Sequence, residues 1–195
     1  MDDFIVKAFN REVDYLFDGV LNSTNPFHFF TLSTVDNLKS EIRTIVLRRV
    51  EKNPLRLFFN SDNRSNKIIQ LKKSPSCSIL FYDNERRVQL RMHAVATLHI
   101  NNQLSKEAWS KTALQSRKCY MAPYAPSSRL NEWHPNIPDK YLKSDPEKED
   151  SENGYINFCL VELDIESLDI LELHHNGHKR FKIDFQNDES YFIAT

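Results

Sequence analysis

The stretch that decides the fold is Val88–Ile100, VQLRMHAVATLHI, in which apolar residues alternate with mostly polar ones. This period-two pattern is typical of a long half-buried strand, with one face in a core and the other open for polar contacts. Upstream, residues 45–50, 55–59 and 77–82 also predict strands, and a single short helical pattern at 65–73 interrupts them. Because each parallel connection needs its own crossover helix, four strands around one short helix predict a closed antiparallel barrel.

Three short motifs follow one another in this region: Arg43-Thr-Ile-Val-Leu-Arg48, Phe59-Asn-Ser-Asp-Asn-Arg-Ser-Asn-Lys67 and Val88-Gln-Leu-Arg91. Together they resemble the FMN-binding split barrel of the pyridoxamine 5'-phosphate oxidase family, on an oxidase-related branch rather than the vitamin B6 enzyme itself. The resemblance implies a mainly β, Greek-key antiparallel split barrel of six or seven strands with flanking helices. We expect this fold to occupy residues 1–195 as one domain.

The resemblance implies FMN as the cofactor, and the phosphate of FMN requires cations and hydrogen-bond donors. Arg43 and Lys67 would supply charge, because charge-assisted bonds to phosphate are stronger than neutral ones. Ser61 and Ser65 would add hydroxyl donors, and Ser65 is also the expected N-cap of the helix that follows. Arg64 is a further cation for this cradle. Without the resemblance, the same loop would be typical of a solvated turn.

The isoalloxazine ring of FMN requires hydrogen bonds along its edge. The Gln89 amide offers a donor and an acceptor to the pyrimidine side, and backbone groups near Val46 and Leu47 would complete the set. A cation such as Arg91 or Arg48 would stabilise the anion of the reduced flavin. For Arg91, pairing with an acid on a neighbouring strand is the alternative.

Near the C-terminus, His178-Lys-Arg180 resembles the His-x-Arg of the family. The resemblance implies that Arg180 reaches the flavin of the partner subunit and that His178 faces the substrate, in a homodimer with flavin sites at its interface. Two departures from the family lie in this part of the chain. Leu171 stands where the vitamin B6 enzyme has a Trp that covers the flavin, and Asn176 replaces an Arg, which removes one contact to the substrate phosphate.

Helices are predicted over residues 3–22 and 104–117 from their apolar spacing. The resemblance places substrate contacts near the second helix, with Arg117 and Tyr120 as the candidates. An exposed arginine after a helix is the alternative for Arg117.

Residues 121–153 are rich in proline and then acidic, and they predict an irregular lid, a partner-wrapping arm or a disordered segment. Trp133 and His134 are the expected aromatic anchors that hold this segment to the barrel. Two strands are predicted after it, at 155–163 and 165–173.

The composition limits the partners. Lys plus Arg number 26 against 27 Asp plus Glu, and this balance lacks the basic excess expected for binding duplex nucleic acid. Cys77, Cys119 and Cys159 are odd in number and unclustered, which favours reduced thiols in a cytoplasmic protein. The N-terminal residues lack the apolar run of a signal peptide, and we expect no membrane span.

His174, His175 and His178 invite a metal site, but their spacing lacks an accompanying carboxylate or cysteine, and Asn176-Gly177 is typical of a hairpin turn. We therefore expect no metal. We also expect no catalytic protein nucleophile, because flavin itself supplies the redox chemistry. The predicted function is an FMN-binding oxidoreductase acting on an unidentified small substrate. The alternatives are a non-catalytic flavin-binding or storage module, and a barrel that binds haem or another ligand through a histidine.

Overall fold

The computed structural model describes residues 2–195, which form nine strands and five α-helices. The strands are β1 (Phe29–Asp36), β2 (Lys39–Val46), β3 (Arg49–Glu51), β4 (Arg56–Asp62), β5 (Ser76–Asp83), β6 (Val88–His99), β7 (Phe158–Glu172), β8 (Lys179–Asp184) and β9 (Glu189–Phe192). The α-helices are α1 (Asp3–Leu21), α2 (Asn66–Lys73), α3 (Gln103–Ser110), α4 (Leu114–Arg117) and α5 (Lys148–Ser151). Short 3-10 helices cover Pro26–His28, Lys118–Met121, Asp139–Tyr141 and Glu152–Asn157.

The strands form one sheet in the order β2-β1-β5-β6-β7-β4-β3, to which β8 is added on β7 and β9 on β8. The pairs β1–β2, β1–β5, β3–β4, β5–β6, β7–β8 and β8–β9 are antiparallel. Along β6 the apolar residues are buried at every second position, from Val88 to Ala96, as the alternation predicts. The mainly antiparallel β class is thus confirmed, whereas the predicted count of six or seven strands is wrong.

The strand predicted over residues 45–50 is in fact the end of β2 and the start of β3. Between them, the Leu47 N–H donates to the His28 carbonyl at 2.9 Å, and the Arg48 N–H donates to the Phe58 carbonyl at 2.8 Å. The chain therefore changes its pairing partner from β1 to β4 at these two residues, which a one-dimensional hydrophobic pattern does not reveal.

The chain divides into two compact units. The first contains the residues up to Phe59, Ser74–Thr97 and Glu162–Thr195, and the second contains Asn60–Lys73 and Leu98–Val161. None of the helices within residues 2–195 has the length and apolar character needed to span a membrane.

Aromatic side chains fill the core of the first unit. Phe27 and Phe30 each lie with their ring centroid 5.3 Å from that of Phe81, and Phe59 contacts Phe30 at 6.0 Å. All four are at most 2% exposed, and full burial of each such side chain stabilises the fold by about 1.5–3 kcal/mol. Helix α1, predicted over residues 3–22, is confirmed, and the Asp2 carboxylate caps it by accepting the Phe4 N–H at 2.8 Å.

Two predicted boundaries differ. The strands predicted at 155–163 and 165–173 form the single strand β7, in which the exposed Asp164 lies within reach of Arg56 (3.4 Å). The helix predicted over 104–117 is broken into α3 and α4 at Thr112, whose hydroxyl donates to the Ala108 carbonyl at 2.9 Å. A threonine hydroxyl that bonds the preceding turn competes with continued helix.

Of the two predicted aromatic anchors in the irregular segment 121–153, His134 is half-buried and packs on Tyr124 of the same segment, with ring centroids 5.3 Å apart. Trp133 is 88% exposed, so its predicted role as an anchor is wrong. Tyr141, at 6% exposure, is the buried ring of this segment, and its hydroxyl donates to Asp150. The Lys118 ammonium, 2.9 Å from Asp145, adds an ion pair within the same unit.

Candidate cofactor site

Three of the predicted phosphate ligands meet at the start of α2. The Lys67 ammonium lies 3.3 Å from the Ser61 hydroxyl and 3.3 Å from the Ser65 hydroxyl, and the two hydroxyl oxygens are 3.2 Å apart. Ser61 and Ser65 are 5% and 2% exposed. We call Ser61, Ser65 and Lys67 the cradle.

The local sequence explains why the cradle forms. The Asp62 carboxylate accepts the Arg64 N–H at 2.8 Å, and the Asp62 carbonyl accepts the Ser65 N–H at 3.1 Å. This aspartate turn reverses the chain between the two serines and brings their hydroxyls side by side. The Ser65 carbonyl then accepts the Ile69 N–H at 3.2 Å, which places Ser65 at the predicted N-cap position.

The donor set of the cradle fits a phosphate. An ammonium and two hydroxyls lie within 3.3 Å of one another, and the first amide N–H groups of α2 have no carbonyl partner within the helix. The positive end of the helix dipole and a lysine charge both favour an anion there. With Arg64 and Asp62 beside it, the loop carries a net charge of one positive unit. A phosphate dianion is therefore the ligand that this chemistry suits.

Arg64 lies beside the cradle, but its guanidinium has protein partners. It donates to Asp62 (Nη2 to Oδ2, 2.7 Å) and to the Ala122 carbonyl (Nη1, 3.1 Å). The hydrogen bond to Asp62 raises the pKa of Arg64 above its ordinary value. The Arg64 guanidinium, which is predicted to bind phosphate, thus holds the loop through these protein contacts.

Arg43 belongs to the first unit and is half-buried on β2. Its Nη1 donates to the Thr34 hydroxyl at 2.6 Å and to the Leu32 carbonyl at 3.3 Å, across the β1–β2 ladder. Burial is the main cause that lowers its pKa from the ordinary value.

The predicted contacts to the flavin ring lie in the first unit as well. Val46, Leu47 and Arg48 occupy the change from β2 to β3, where the N–H groups of Leu47 and Arg48 are used by backbone carbonyls. The carbonyl oxygens in this stretch are the groups to consider for a flavin. Gln89 lies half-buried on β6, opposite Tyr82 of β5.

Arg91 and Arg180 share one carboxylate. Asp169 on β7 accepts from Arg91 at 2.7 Å and from Arg180 at 2.8 Å. Burial opposes ionisation of Asp169, but the hydrogen bond from Arg180 and the charge of Arg91 outweigh it, and the pKa of Asp169 lies below its usual range. Arg91 therefore pairs with an acid on a neighbouring strand, which is the alternative stated for it above.

A groove of about 550 Å³ on the first unit is lined by Arg91, Asp169 and Arg180. Two arginines against one carboxylate leave the groove with an excess positive charge. Its other lining side chains mix hydroxyl, cationic and apolar groups and include Ser33, Ile42, Ser78, Leu80, His93 and Lys182.

His178 lies in the loop between β7 and β8, which confirms the predicted hairpin. Its Nδ1 is 3.2 Å from the backbone N–H of His174, which can only donate. His178 Nδ1 is therefore an acceptor, and its neutral ring carries the proton on Nε2. The His174 Nε2 lies 3.2 Å from Glu172, which also binds Arg11. In residues 2–195 we find no grouping of His, Cys, Asp or Glu arranged to hold a metal ion.

Arg117 and Tyr120 lie together in the second unit. Arg117 is 2% exposed and donates to Ser151 (2.9 Å) and to the Trp109 carbonyl (2.8 Å), so the exposed alternative is wrong. Tyr120 packs its ring against Trp109 and Phe158, with centroids 5.6 and 5.1 Å away. The predicted substrate contacts of both residues stay predictions, and the contacts described here are structural.

A mostly antiparallel sheet, with an ammonium and two hydroxyls gathered at a helix start, is the arrangement of a β protein that can bind an anionic cofactor. Residues 9–100 match the family described as pyridoxamine 5'-phosphate oxidase, FMN-binding domain. The chain is also 30% identical over 156 residues to pyridoxine/pyridoxamine 5'-phosphate oxidase 2 of Arabidopsis thaliana, which covers 76% of this chain and 75% of that protein. The chain belongs to the pyridoxamine 5'-phosphate oxidase family, and its cofactor is FMN. This family includes oxidases and other flavin-binding proteins.

Solved structures confirm the split-barrel fold. A pyridoxamine 5'-phosphate oxidase-related, FMN-binding protein of Nostoc punctiforme is similar with a TM-score of 0.70 at 24% identity, over 95% of this chain and 96% of that one. PhzG of Burkholderia lata, in complex with tetrahydrophenazine-1-carboxylic acid, is similar with a TM-score of 0.67 at 12% identity, over 97% and 92%.

Proposed function

We propose that this protein is an FMN-dependent oxidoreductase that acts on a small substrate and works as a homodimer. The observation that carries the proposal is the convergence of Ser61, Ser65 and Lys67 at the start of α2. Three donors at a helix start give the phosphate of FMN a fixed point of attachment, and a fixed cofactor is what hydride transfer requires.

Bound FMN supplies the hydride chemistry, and the residues of the chain bind and orient it. The cradle holds the phosphate, with Arg64 as a support. The positive excess of Arg91 and Arg180 over Asp169 favours a negatively charged ligand in the groove. Contacts of the flavin ring with Arg43, Val46, Leu47, Arg48 and Gln89 remain proposals that rest on the resemblance.

A second copy of the chain is the partner that we propose for the outer face of the sheet. Phe29, Ile42, Leu80 and Tyr82 lie on the adjacent strands β1, β2 and β5, and each is 37–67% exposed. Large exposed apolar patches mark interaction sites, and proteins of this family are commonly dimeric. In such a dimer the groove with Arg180 would face the flavin of the partner subunit. His178 would face the substrate bound at that flavin.

The free cysteines support the cytoplasmic location that we propose. Cys77, Cys119 and Cys159 are free thiols. Burial raises the pKa of Cys77 and of Cys159 to about 12, which keeps them protonated and unreactive as core residues of β5 and β7.

The name of the Arabidopsis relative suggests the first substrates to test, pyridoxine 5'-phosphate and pyridoxamine 5'-phosphate. A non-catalytic flavin-binding module is the second candidate. It is favoured by Leu171, which lies opposite Arg180 in the β7–β8 ladder and stands where the vitamin B6 enzyme has a flavin-covering Trp, and by Asn176 in place of an arginine.

Anaerobic mixing of the FMN-loaded protein with each compound tests the proposal. A substrate bleaches the visible absorbance of the flavin in one turnover, and admission of oxygen restores it. FMN-loaded protein without the compound is the control for photoreduction. Flavin that stays oxidised with these and other small reductants would contradict the oxidoreductase and support the non-catalytic module.

A further inference from the structure

The loop that builds the cradle is bound to a long irregular arm, which we define as residues 120–157. One end of the arm is held by Asn63, whose side-chain Nδ2 donates to the Ile156 carbonyl at 2.7 Å. The backbone N–H of Asn63 donates to the Asn157 carbonyl, also at 2.7 Å. Asn63 lies between the two serines of the cradle, so this end of the arm contacts the loop at its centre.

The other end of the arm contacts the next residue of the same loop. The Arg64 Nη1 donates to the Ala122 carbonyl at 3.1 Å, and Ala122 is 5% exposed. The Asn157 side chain then donates to the Tyr120 carbonyl at 2.8 Å and joins the two ends of the arm. Four hydrogen bonds thus connect the arm ends with each other and with Asn63 and Arg64.

The arm has an internal structure that makes it able to act as a support. The Arg117 guanidinium just before it binds Ser151 (2.9 Å) and Glu152 (2.7 Å) near its far end. The Gly154 backbone lies against Met121 and Trp109, where an added Cβ would come within 3.0–3.2 Å of their side chains. The two ends are therefore packed together independently of the loop.

We propose that the arm braces the loop that builds the cradle, and that Asn63, Arg64 and Asn157 are positioning residues for FMN. The inference rests on the proposed use of the cradle. Its physical basis is preorganisation: donors that are already aligned lose less conformational freedom when the phosphate arrives. Arg64 acts through Asp62, because a guanidinium fixed on Ala122 holds the carboxylate that shapes the turn.

Comparison of FMN with riboflavin tests the brace, because riboflavin lacks the phosphate. In the variant Asn63→Ala/Asn157→Ala we expect FMN affinity to fall about tenfold, as for the loss of one to two hydrogen bonds, with riboflavin affinity changed less than about twofold. Gln103→Ala is the matched control, since it removes an exposed side-chain bond to Glu107 (2.8 Å) that lies within helix α3 of the same unit. Arg64→Met should reproduce the selective loss, and Arg64→Lys should restore part of it.

A general loss of structure would weaken both flavins alike, and that result, or unchanged FMN affinity in the double variant, overturns the brace. A wild-type protein that binds FMN no better than riboflavin would instead overturn the cradle and the proposed function with it. These two failures are therefore distinguishable.

The wild-type protein alone gives a second measurement that does not depend on the variants folding. By the reciprocity of linked equilibria, saturating FMN should slow trypsin cleavage after Arg129, Lys140 and Lys143 in the arm at least about fivefold, and riboflavin should not. Equal cleavage rates with and without bound FMN would overturn the brace.

Discussion

At the scale of single residues, the site depends on which donor each side chain can present. Ser61, Ser65 and Lys67 fall within seven residues, so a local turn and one helix start suffice to bring them together, and the family resemblance of this short motif predicts their grouping. The roles of Arg64, Arg91 and Arg117 are set by Ala122, Asp169 and Ser151, which are remote in the chain. Their partners depend on tertiary pairing, which no local motif encodes.

The proton on His178 is a prediction at this scale. Because the backbone N–H of His174 donates to its Nδ1, we expect the neutral ring to carry its proton on Nε2, where it can donate to an oxygen of a substrate. Nitrogen chemical shifts of the imidazole at a pH where it is neutral report the tautomer. His178→Asn identifies the signal by its loss. A ring protonated on Nδ1 would exclude the hydrogen bond described here.

At the scale of elements, helix α1 is attached to the sheet by a buried carboxylate. Glu12 is 0% exposed and accepts from Arg86 at 2.9 Å and from Arg11 at 2.7 Å. The Arg86 guanidinium lies over the Tyr15 ring at 3.5 Å. The sequence predicts α1 from its apolar spacing, but a buried Glu within it is unexpected, because its partner Arg86 comes from the turn between β5 and β6.

Removal of the Glu12 carboxylate should destabilise the protein strongly. Glu12→Ala removes one of the two carboxylates that bind the half-buried Arg86, the other being Asp83, and we expect the free energy of unfolding to fall by about 3 kcal/mol. Urea denaturation measures the change. Asp14→Asn, an exposed acid on the same helix, is the control and should change the value by less than about 0.5 kcal/mol. A small effect of Glu12→Ala would mean that the ion pairs do not hold α1.

Low pH should weaken the ion pairs that hold helix α1 and the turn between β5 and β6. Burial opposes the ionisation of Asp83 and Glu172, but hydrogen bonds from Arg86 and from Arg11, respectively, outweigh it and hold each pKa below its usual value. A carboxyl with a lowered folded-state pKa stabilises the fold above its unfolded-state pKa, and this stability is lost as the pH falls through the folded-state pKa. The urea midpoint should therefore decline below a pH of about 4. Asp83→Asn should reduce the slope of that decline, and an unchanged slope would contradict the assignment.

At the scale of the whole molecule, family resemblance predicts the antiparallel split barrel and FMN, and the comparisons confirm both. The number of strands is missed, because the switch at Leu47 and Arg48 and the small β8–β9 hairpin leave little trace in hydrophobic periodicity. The predicted homodimer stays a prediction of the sequence and the exposed sheet face. Leu80, 37% exposed on that face, lines the groove with Arg180.

A charge on this face should dissociate the dimer. Phe29→Asp, opposite Val46 in the β1–β2 ladder, places a carboxylate in the apolar part of the proposed interface, and we expect a monomer by sedimentation analysis of the FMN-loaded protein. Leu142→Asp, at a position 48% exposed in the arm, is the control that should stay dimeric. A wild-type protein that sediments as a monomer would contradict the proposed assembly.

The most direct test of the central claim is the affinity of the protein for FMN and riboflavin, with and without the Lys67 charge. We expect the wild-type protein to bind FMN at least tenfold more tightly than riboflavin, since a charge-assisted bond contributes about 1.5–3 kcal/mol. Lys67→Met should remove most of this preference, and Lys72→Met, at the other end of α2, should retain it. Equal affinities in the wild-type protein, or a preference that survives Lys67→Met, would contradict the cradle.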